Sequence, residues 1–315
     1  MKTIKFSIVI PVFNSTDSLQ ELIERIDFVF KETIKEPYEI IMIDDGSFNP
    51  ETWIRLTELS THYDTLKAIQ LTRNFGKAGA VLCGLSEASG KFICIMDDDL
   101  QHRPEDIPIL LTKKAHDIVF GNFTEKKHSF WVRLSSEVKG YFDRIILNRP
   151  SNFKISPFCI LKAEIAKALL KIKTPHPFIP AMMFYVTKDV VAVNVVHSER
   201  KYGISGFTIK KRFKQFSRLL INNSSLLLQV VSAIGILIAF FSALYSIVLI
   251  YRKLYYSIQV SGWTSLMVTI LVTSGLILFS IGIVGEYLIR IINGVEQRPP
   301  FLVREKIEKG TISHD

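Results

Sequence analysis

The chain has 315 residues, 48% of them hydrophobic, with a mean hydropathy of +0.25 and a formal net charge of +9 at pH 7. That length leaves room for one large domain or two smaller ones, and the hydropathy is high for a protein soluble throughout. The three cysteines, Cys83, Cys94 and Cys159, are odd in number and form no CxxC pair, which argues against a disulfide frame or a zinc site and for reduced core residues of a cytosolic domain.

The first 120 or so residues alternate strand-like and helix-like patterns, as a parallel sheet with covering helices requires. The apolar run Phe6 to Val12 is too short for a signal peptide and meets Asn14 instead of a small-residue cleavage site. It reads as a first strand that leaves the N-terminal region in the cytoplasm. Leu19, Leu22, Ile23, Ile26, Val29 and Phe30 recur at helical spacing behind the capping candidates Ser15 and Thr16. Strands are expected at Tyr38 to Ile43, Thr65 to Leu71, Phe92 to Met96 and Asp117 to Gly121. Helices are expected over Pro50 to Thr61, from Lys77 through Ala88, and over Ile107 to Leu111. Beyond residue 122 the pattern is less regular. Lys126 and Lys127 suggest a loop, Val138 to Leu147 and Lys162 to Leu170 suggest helices, and Val190 to Val196 suggests a strand.

The C-terminal third is different. Residues 219–251 and 254–285 contain no Asp, Glu, Lys or Arg, and each exceeds the roughly 20 residues a helix needs to cross a bilayer. Lys210, Lys211, Arg212, Lys214 and Arg218 precede the first run; Arg290, Arg298, Arg304, Lys306 and Lys309 follow the second; only Arg252 and Lys253 lie between. Positive flanks on the cytoplasmic side make the pair a membrane hairpin. This placement suits an anionic membrane surface and argues against nucleic acid as a partner. The expected organisation is a cytoplasmic α/β domain over 1–208, an interfacial amphipathic segment over 209–222, membrane helices at 223–251 and 263–290, and a cytoplasmic tail over 291–315. A two-span anchor leaves room for a homo-oligomer.

Chemistry concentrates at strand ends. Asp97, Asp98 and Asp99 follow a wholly apolar strand. Three buried carboxylates without a counter-charge would cost several kcal/mol. At the carboxyl end of a strand in an α/β sheet they face the crevice where ligands bind, and a divalent cation on a diphosphate is their natural partner. Pro11-Val12-Phe13-Asn14 and Asp44-Asp45-Gly46-Ser47 end the first two strands, so a carboxylate there could accept from a nucleobase or ribose. Neither GxGxxG nor GxxxxGK[ST] occurs, which argues against a Rossmann dehydrogenase or a P-loop enzyme.

IVIPVFN, IIMIDDGS, LTRNFGKAGAVLCGL, DDDLQHRPEDIP, RKYGISGFT and GEYLIRIINGVEQRPPF stand in that order. Together they resemble family 2 glycosyltransferases with a GT-A (Rossmann-like) domain. The nearest subgroup is the polyprenyl-phosphate glycosyltransferases, which include dolichol-phosphate mannose synthases and bactoprenol glucosyltransferases. The resemblance implies an inverting enzyme of the cell (inner) membrane that moves a sugar from a nucleotide sugar to a polyprenyl phosphate at the cytoplasmic face. A UDP-sugar is the donor expected by analogy. Pro11, Val12, Asn14, Asp44, Asp45, Arg73, Lys77 and Asp98 would stand on the nucleotide side. Asp97, Asp99 and Gln101 match the DxDLQ motif that binds Mg²⁺ or Mn²⁺, with Asp98 where Ala is common. Arg200 and Ser205 match an RxxGxS loop on the lipid-phosphate side, and Asp97, Asp99 and Arg200 would be catalytic.

The chain also departs from the family pattern. Ser15 stands where many relatives carry Glu, Phe123 where an Arg is expected, and Pro157-Phe158-Cys159 where a basic residue is expected. Lys126, Lys127, Arg133 and Lys154 are the candidates to replace those acceptor cations, Arg133 foremost. The alternative reading is a non-catalytic nucleotide-sugar-binding membrane protein with a degenerate acceptor site. A processive polysaccharide synthase would carry QxxRW, and no tryptophan here follows an arginine.

Overall fold

The computed structural model describes residues 3–123, 156–174, 177–196, 262–295, 299–308 and 311–313, with isolated positions between 237 and 255. Two compact units divide the chain: one contains 1–206 together with 297–315, the other 207–296.

In the first unit the strands are short and apolar on both sides, the composition a sheet covered by helices on both faces demands. Strand β1 (Phe6–Val12) is followed by α1 (Asp17–Phe28), which continues as a wide turn to Ile34. Then come β2 (Tyr38–Asp44), α2 (Pro50–His62), β3 (Leu66–Leu71), α3 (Lys77–Glu87) and β4 (Phe92–Ile95). A 3-10 turn at Pro104–Asp106 leads into α4 (Ile107–Leu111), and β5 spans Ile118–Phe123. Next are β6 (Cys159–Lys162), α5 (Ala163–Leu170), α6 (Ile179–Val186) and β7 (Val190–Val195). Strands β8 (Val303–Glu308) and β9 (Thr311–Ser313) lie at the end of the chain.

The strands form one mixed sheet in the order β7-β5-β6-β4-β1-β2-β3-β8-β9. β4, β1, β2 and β3 run parallel, β6 is antiparallel between β4 and β5, and β8 is antiparallel to β3. The connections leave β1 toward β2 on one side and return to β4 on the other, so the sheet has its switch point between β1 and β4. Ligands of open α/β sheets bind beyond the strand ends at such a point. The N-terminal expectations hold to within a residue or two.

Leu19, Leu22, Ile23 and Ile26 are fully buried against Ile8, Ile10 and Met42, each such side chain contributing about 1.5–3 kcal/mol. The three cysteines are buried and free, as reduced core residues should be.

The helix expected over Lys162 to Leu170 forms from Ala163, and Cys159–Lys162 ahead of it is a strand that fills the gap between β4 and β5. One feature differs from expectation: Val303–Glu308 is a sheet strand and no mere basic tail, because β3 offers it an open edge. Two of its charges are paired there. Lys306 pairs with Glu87, and the buried Lys67 lies 3.8 Å from each of Glu39, Glu87 and Glu308.

The second unit contains helix α7 (Trp263–Val295), 33 residues long. Leu266, Ile277, Phe279, Ile281 and Ile291 are exposed on it. Among the described residues no helix is long and apolar enough to cross a membrane, so the membrane hairpin rests on the charge-free sequence runs alone. Most of the first run, the segment 209–222, and the side chains of Glu286 and Arg290, which the sequence pairs at i,i+4, lie outside what is described.

Candidate functional site

The ends of three adjacent strands, β4, β1 and β2, converge on one edge. Val12 sits opposite Asp44 in the β1–β2 register, and Val9 opposite Ile95 in that of β1 and β4. Asn14 takes a left-handed backbone, φ 53°, which Asn tolerates better than most residues. Its N–H donates to Ser47 Oγ at 2.8 Å, and its Oδ1 accepts from the Phe48 and Asn49 amides at 2.9 and 3.2 Å. Asn14 thus ties the first strand's turn to the start of α2.

Asp44 is fully buried. One oxygen accepts from the Ser47 amide at 3.0 Å and the other from Gln70 Nε2 at 3.2 Å, so it braces the turn from beneath. Asp45 reaches further: its Oδ1 accepts from the Phe75 amide at 2.8 Å. Burial pushes its carboxyl up to about 6, against the pull of the Phe75 and Gly76 amides, and the Asp44 charge adds to the rise. Gly46, with φ +61°, lets the β3–α3 loop lie directly on this turn, because a Cβ there would stand 2.4 Å from the Arg73 carbonyl carbon. Within that loop the Arg73 guanidinium lies 4.2 Å from the Phe75 ring centre.

Lys77 opens α3, and its ammonium pairs with the Asp97 carboxylate. The acidic turn is fixed by its backbone. Asp97 N–H donates to His102 Nδ1 at 2.8 Å, and Gln101 N–H donates to Asp99 Oδ1 at 3.2 Å. Leu100 is buried at φ 61°. His102 is buried and stacked between Phe123 and Phe158 at 5.5 and 5.2 Å. It is a packing histidine, and the two positions where the family pattern has cations are its aromatic walls.

Asp98 Oδ2 is buried without a hydrogen-bond partner. Burial lifts its carboxyl to about 6; Ser15 opposes this, and Asp97 and Asp99 add to it. From outside, Arg25 on α1 grips Glu105 with two bonds of 2.8 and 2.7 Å. Burial alone would raise Glu105, but the Arg25 guanidinium outweighs it and holds the carboxyl below its usual range.

The donor set of Asp97, Asp99 and Gln101 is all oxygen and suits a hard divalent cation. Among the described residues no group of three or more His, Cys, Asp or Glu is gathered to hold a metal. Two carboxylates with an amide could hold an ion that arrives with substrate phosphates, as Mg²⁺ commonly does.

The structure brings together Pro11, Val12, Asn14, Asp44, Asp45, Arg73, Lys77, Asp97, Asp98, Asp99 and Gln101 along this edge. Arg133, Arg200, Ser205 and His176, with the loop and helix read over 126–147, lie outside the described residues. Sequence reasoning missed Arg25 and Glu105, whose charges looked like ordinary surface positions.

Residues 7–170 match the protein family described as Glycosyl transferase family 2. An uncharacterized glycosyltransferase, YkcC, of Bacillus subtilis is 29% identical over 96% of this chain and 94% of its own length. An undecaprenyl-phosphate 4-deoxy-4-formamido-L-arabinose transferase of Sodalis glossinidius is 28% identical over 99% and 97%. Among solved structures, glucosyl-3-phosphoglycerate synthase from Mycobacterium tuberculosis with Mn²⁺ and uridine-diphosphate-glucose covers 70% of this chain and 78% of its own. Its TM-score is 0.49 at 17% identity.

Proposed function

The chain belongs to glycosyl transferase family 2, and on that premise we propose that it moves a sugar from a nucleotide-diphosphate sugar to a polyprenyl phosphate at the cytoplasmic face of the cell membrane. The observation that carries the reading is the pairing of Lys77 with Asp97 at the switch point of the sheet. A cation and an acidic turn set side by side there suit a diphosphate and its metal. The relatives named for transfer to undecaprenyl phosphate, similar over nearly the whole chain, support the acceptor class. The charge-free runs at 219–251 and 254–285 support the membrane anchor.

The nucleoside lies against the turn of Pro11, Val12 and Asn14 and the Asp45 turn that Asp44 braces. Arg73, Lys77 and the amino end of α3 face the diphosphate, a placement favoured by the helix dipole. Asp97, Asp99 and Gln101 would hold Mg²⁺ or Mn²⁺, which when bound neutralises charge on the departing nucleoside diphosphate. Arg200, Ser205 and Arg133 are assigned to the acceptor phosphate. A phosphate monoester is already ionised near neutral pH, its second pKa being about 6. The acceptor oxygen therefore needs alignment with the anomeric carbon, and no strong base, for an inverting displacement. UDP is the first nucleotide to test.

The test is a donor panel: full-length protein with undecaprenyl phosphate and UDP-, GDP- and dTDP-sugars, with and without EDTA. One donor should give a glycolipid that EDTA suppresses. Absence of product from every donor would leave a non-catalytic binding protein.

A further inference from the structure

The loop that carries Arg73 and Lys77 is held from two sides. On one side are Asp45 and Gly46, which belong to the site already described. On the other is the chain that returns after α7. Thr72 N–H donates to Leu302 O at 2.9 Å, and Arg304 Nη2 donates to Thr72 O at 3.1 Å. At the first turn of α3, a Cβ on Gly79 would stand 2.7 Å from Pro300 O and 2.8 Å from Phe75 Cβ. Pairing with β3 then runs from Leu71 opposite Val303 to Lys67 opposite Glu308, with a register shift at Gln70/Leu71 where the loop begins.

These contacts touch both ends of the segment 72–79, and Phe75 links them: its side chain approaches Gly79, its ring carries Arg73, and its amide bonds Asp45. Lys77 is tied to Asp97, whereas Arg73 lies on its own loop, donating to Asn74 O and covering the Phe75 ring, so the position of Arg73 depends on what holds the loop backbone. We propose that Pro300, Leu302 and Arg304 are positioning residues for this donor-side loop. The C-terminal segment then sets how Arg73 and Lys77 meet the diphosphate, although it touches no substrate. This rests on the donor assignment above for its catalytic consequence, but not for its structural one.

The experiment uses full-length protein in lipid nanodiscs and the variants Arg304→Ala, Arg304→Lys and Gly79→Ala. Hydrogen exchange at the amides of Thr72 and Phe75 reads the position of the loop without reference to activity. Arg304→Ala should speed exchange there by about tenfold, the scale of losing one hydrogen bond. The amides of Asp45 and Met96 should be unchanged. Arg304→Lys should restore protection, since an ammonium can still reach Thr72 O. With the donor that the panel identifies, Arg304→Ala and Gly79→Ala should raise the donor KM several-fold and leave kcat within about twofold. Unchanged exchange in both Arg304→Ala and Gly79→Ala would overturn the proposal, as would equal acceleration throughout the sheet. If no donor turns over, the enzyme reading fails and the exchange data alone decide the positioning role.

Discussion

Lys77, the first residue of α3, is ion-paired with Asp97 at the end of β4. Twenty residues and a whole helix-strand unit separate them, and the parallel order of β4, β1 and β2 brings them to one edge. The pair is partly exposed, 48% for the Lys77 side chain and 23% for Asp97, so its worth to stability is small. Its place argues for binding instead.

Lys77→Met should therefore leave the unfolding midpoint nearly unchanged and weaken UDP binding, measured calorimetrically with Mn²⁺ present, by about tenfold or more. Unaltered affinity would remove Lys77 from the donor side.

Asp45 predicts a pH effect. Its carboxyl is raised from 3.8 to about 6, mainly by burial. Between those values the folded protein keeps a proton the unfolded chain has released, so this group's contribution to stability falls as pH rises through the window. Asp45→Asn preserves an oxygen for the Phe75 amide and abolishes the titration. The variant's stability relative to wild type should improve from about pH 4 to about pH 7, by on the order of 1–3 kcal/mol. Urea unfolding at several pH values checks it; a flat difference would contradict the assignment.

His102 is the acceptor for the Asp97 amide and the filling of a stack between Phe123 and Phe158. His102→Phe keeps the stack and strands the amide, which should cost about 1–3 kcal/mol and displace Asp97. Unfolding would report the first effect and donor turnover the second. A loss below about 0.5 kcal/mol would show that the amide finds another partner.

The Arg25–Glu105 grip should couple by about 0.5–1 kcal/mol in a double-mutant cycle, a modest figure because both side chains are about a third exposed. Coupling near zero would mean that α1 does not restrain the acidic turn.

The sheet's centre was legible because β1 to β4 are compact apolar runs, punctuated by Asn14, Gly46, Gly76 and Pro50 at the turns. The acidic turn was legible because Asp97 to Asp99 follow such a run. Val303–Glu308 was not, since four charges in six residues read as a membrane flank. Only the open edge of β3, with Lys67 on it and Glu87 at the end of α3 beside it, makes those charges a strand. The role of Asp44 was half legible: an acid at a strand end suggests a ligand, but Ser47 and Gln70 already occupy it. Ser15 looked like a lost carboxylate, and Asp98, whose carboxyl it holds down against burial, is 83 positions away in the chain.

The proposed sugar transfer to a polyprenyl phosphate runs through the Asp97–Gln101 turn. Wild type and Asp99→Asn, matched in fold by circular dichroism, should be given undecaprenyl phosphate, Mn²⁺ and the active donor, and the glycolipid counted. Wild type should give metal-dependent product, and the variant at least about a hundredfold less. Equal product from both, or none from wild type with any donor, would contradict it.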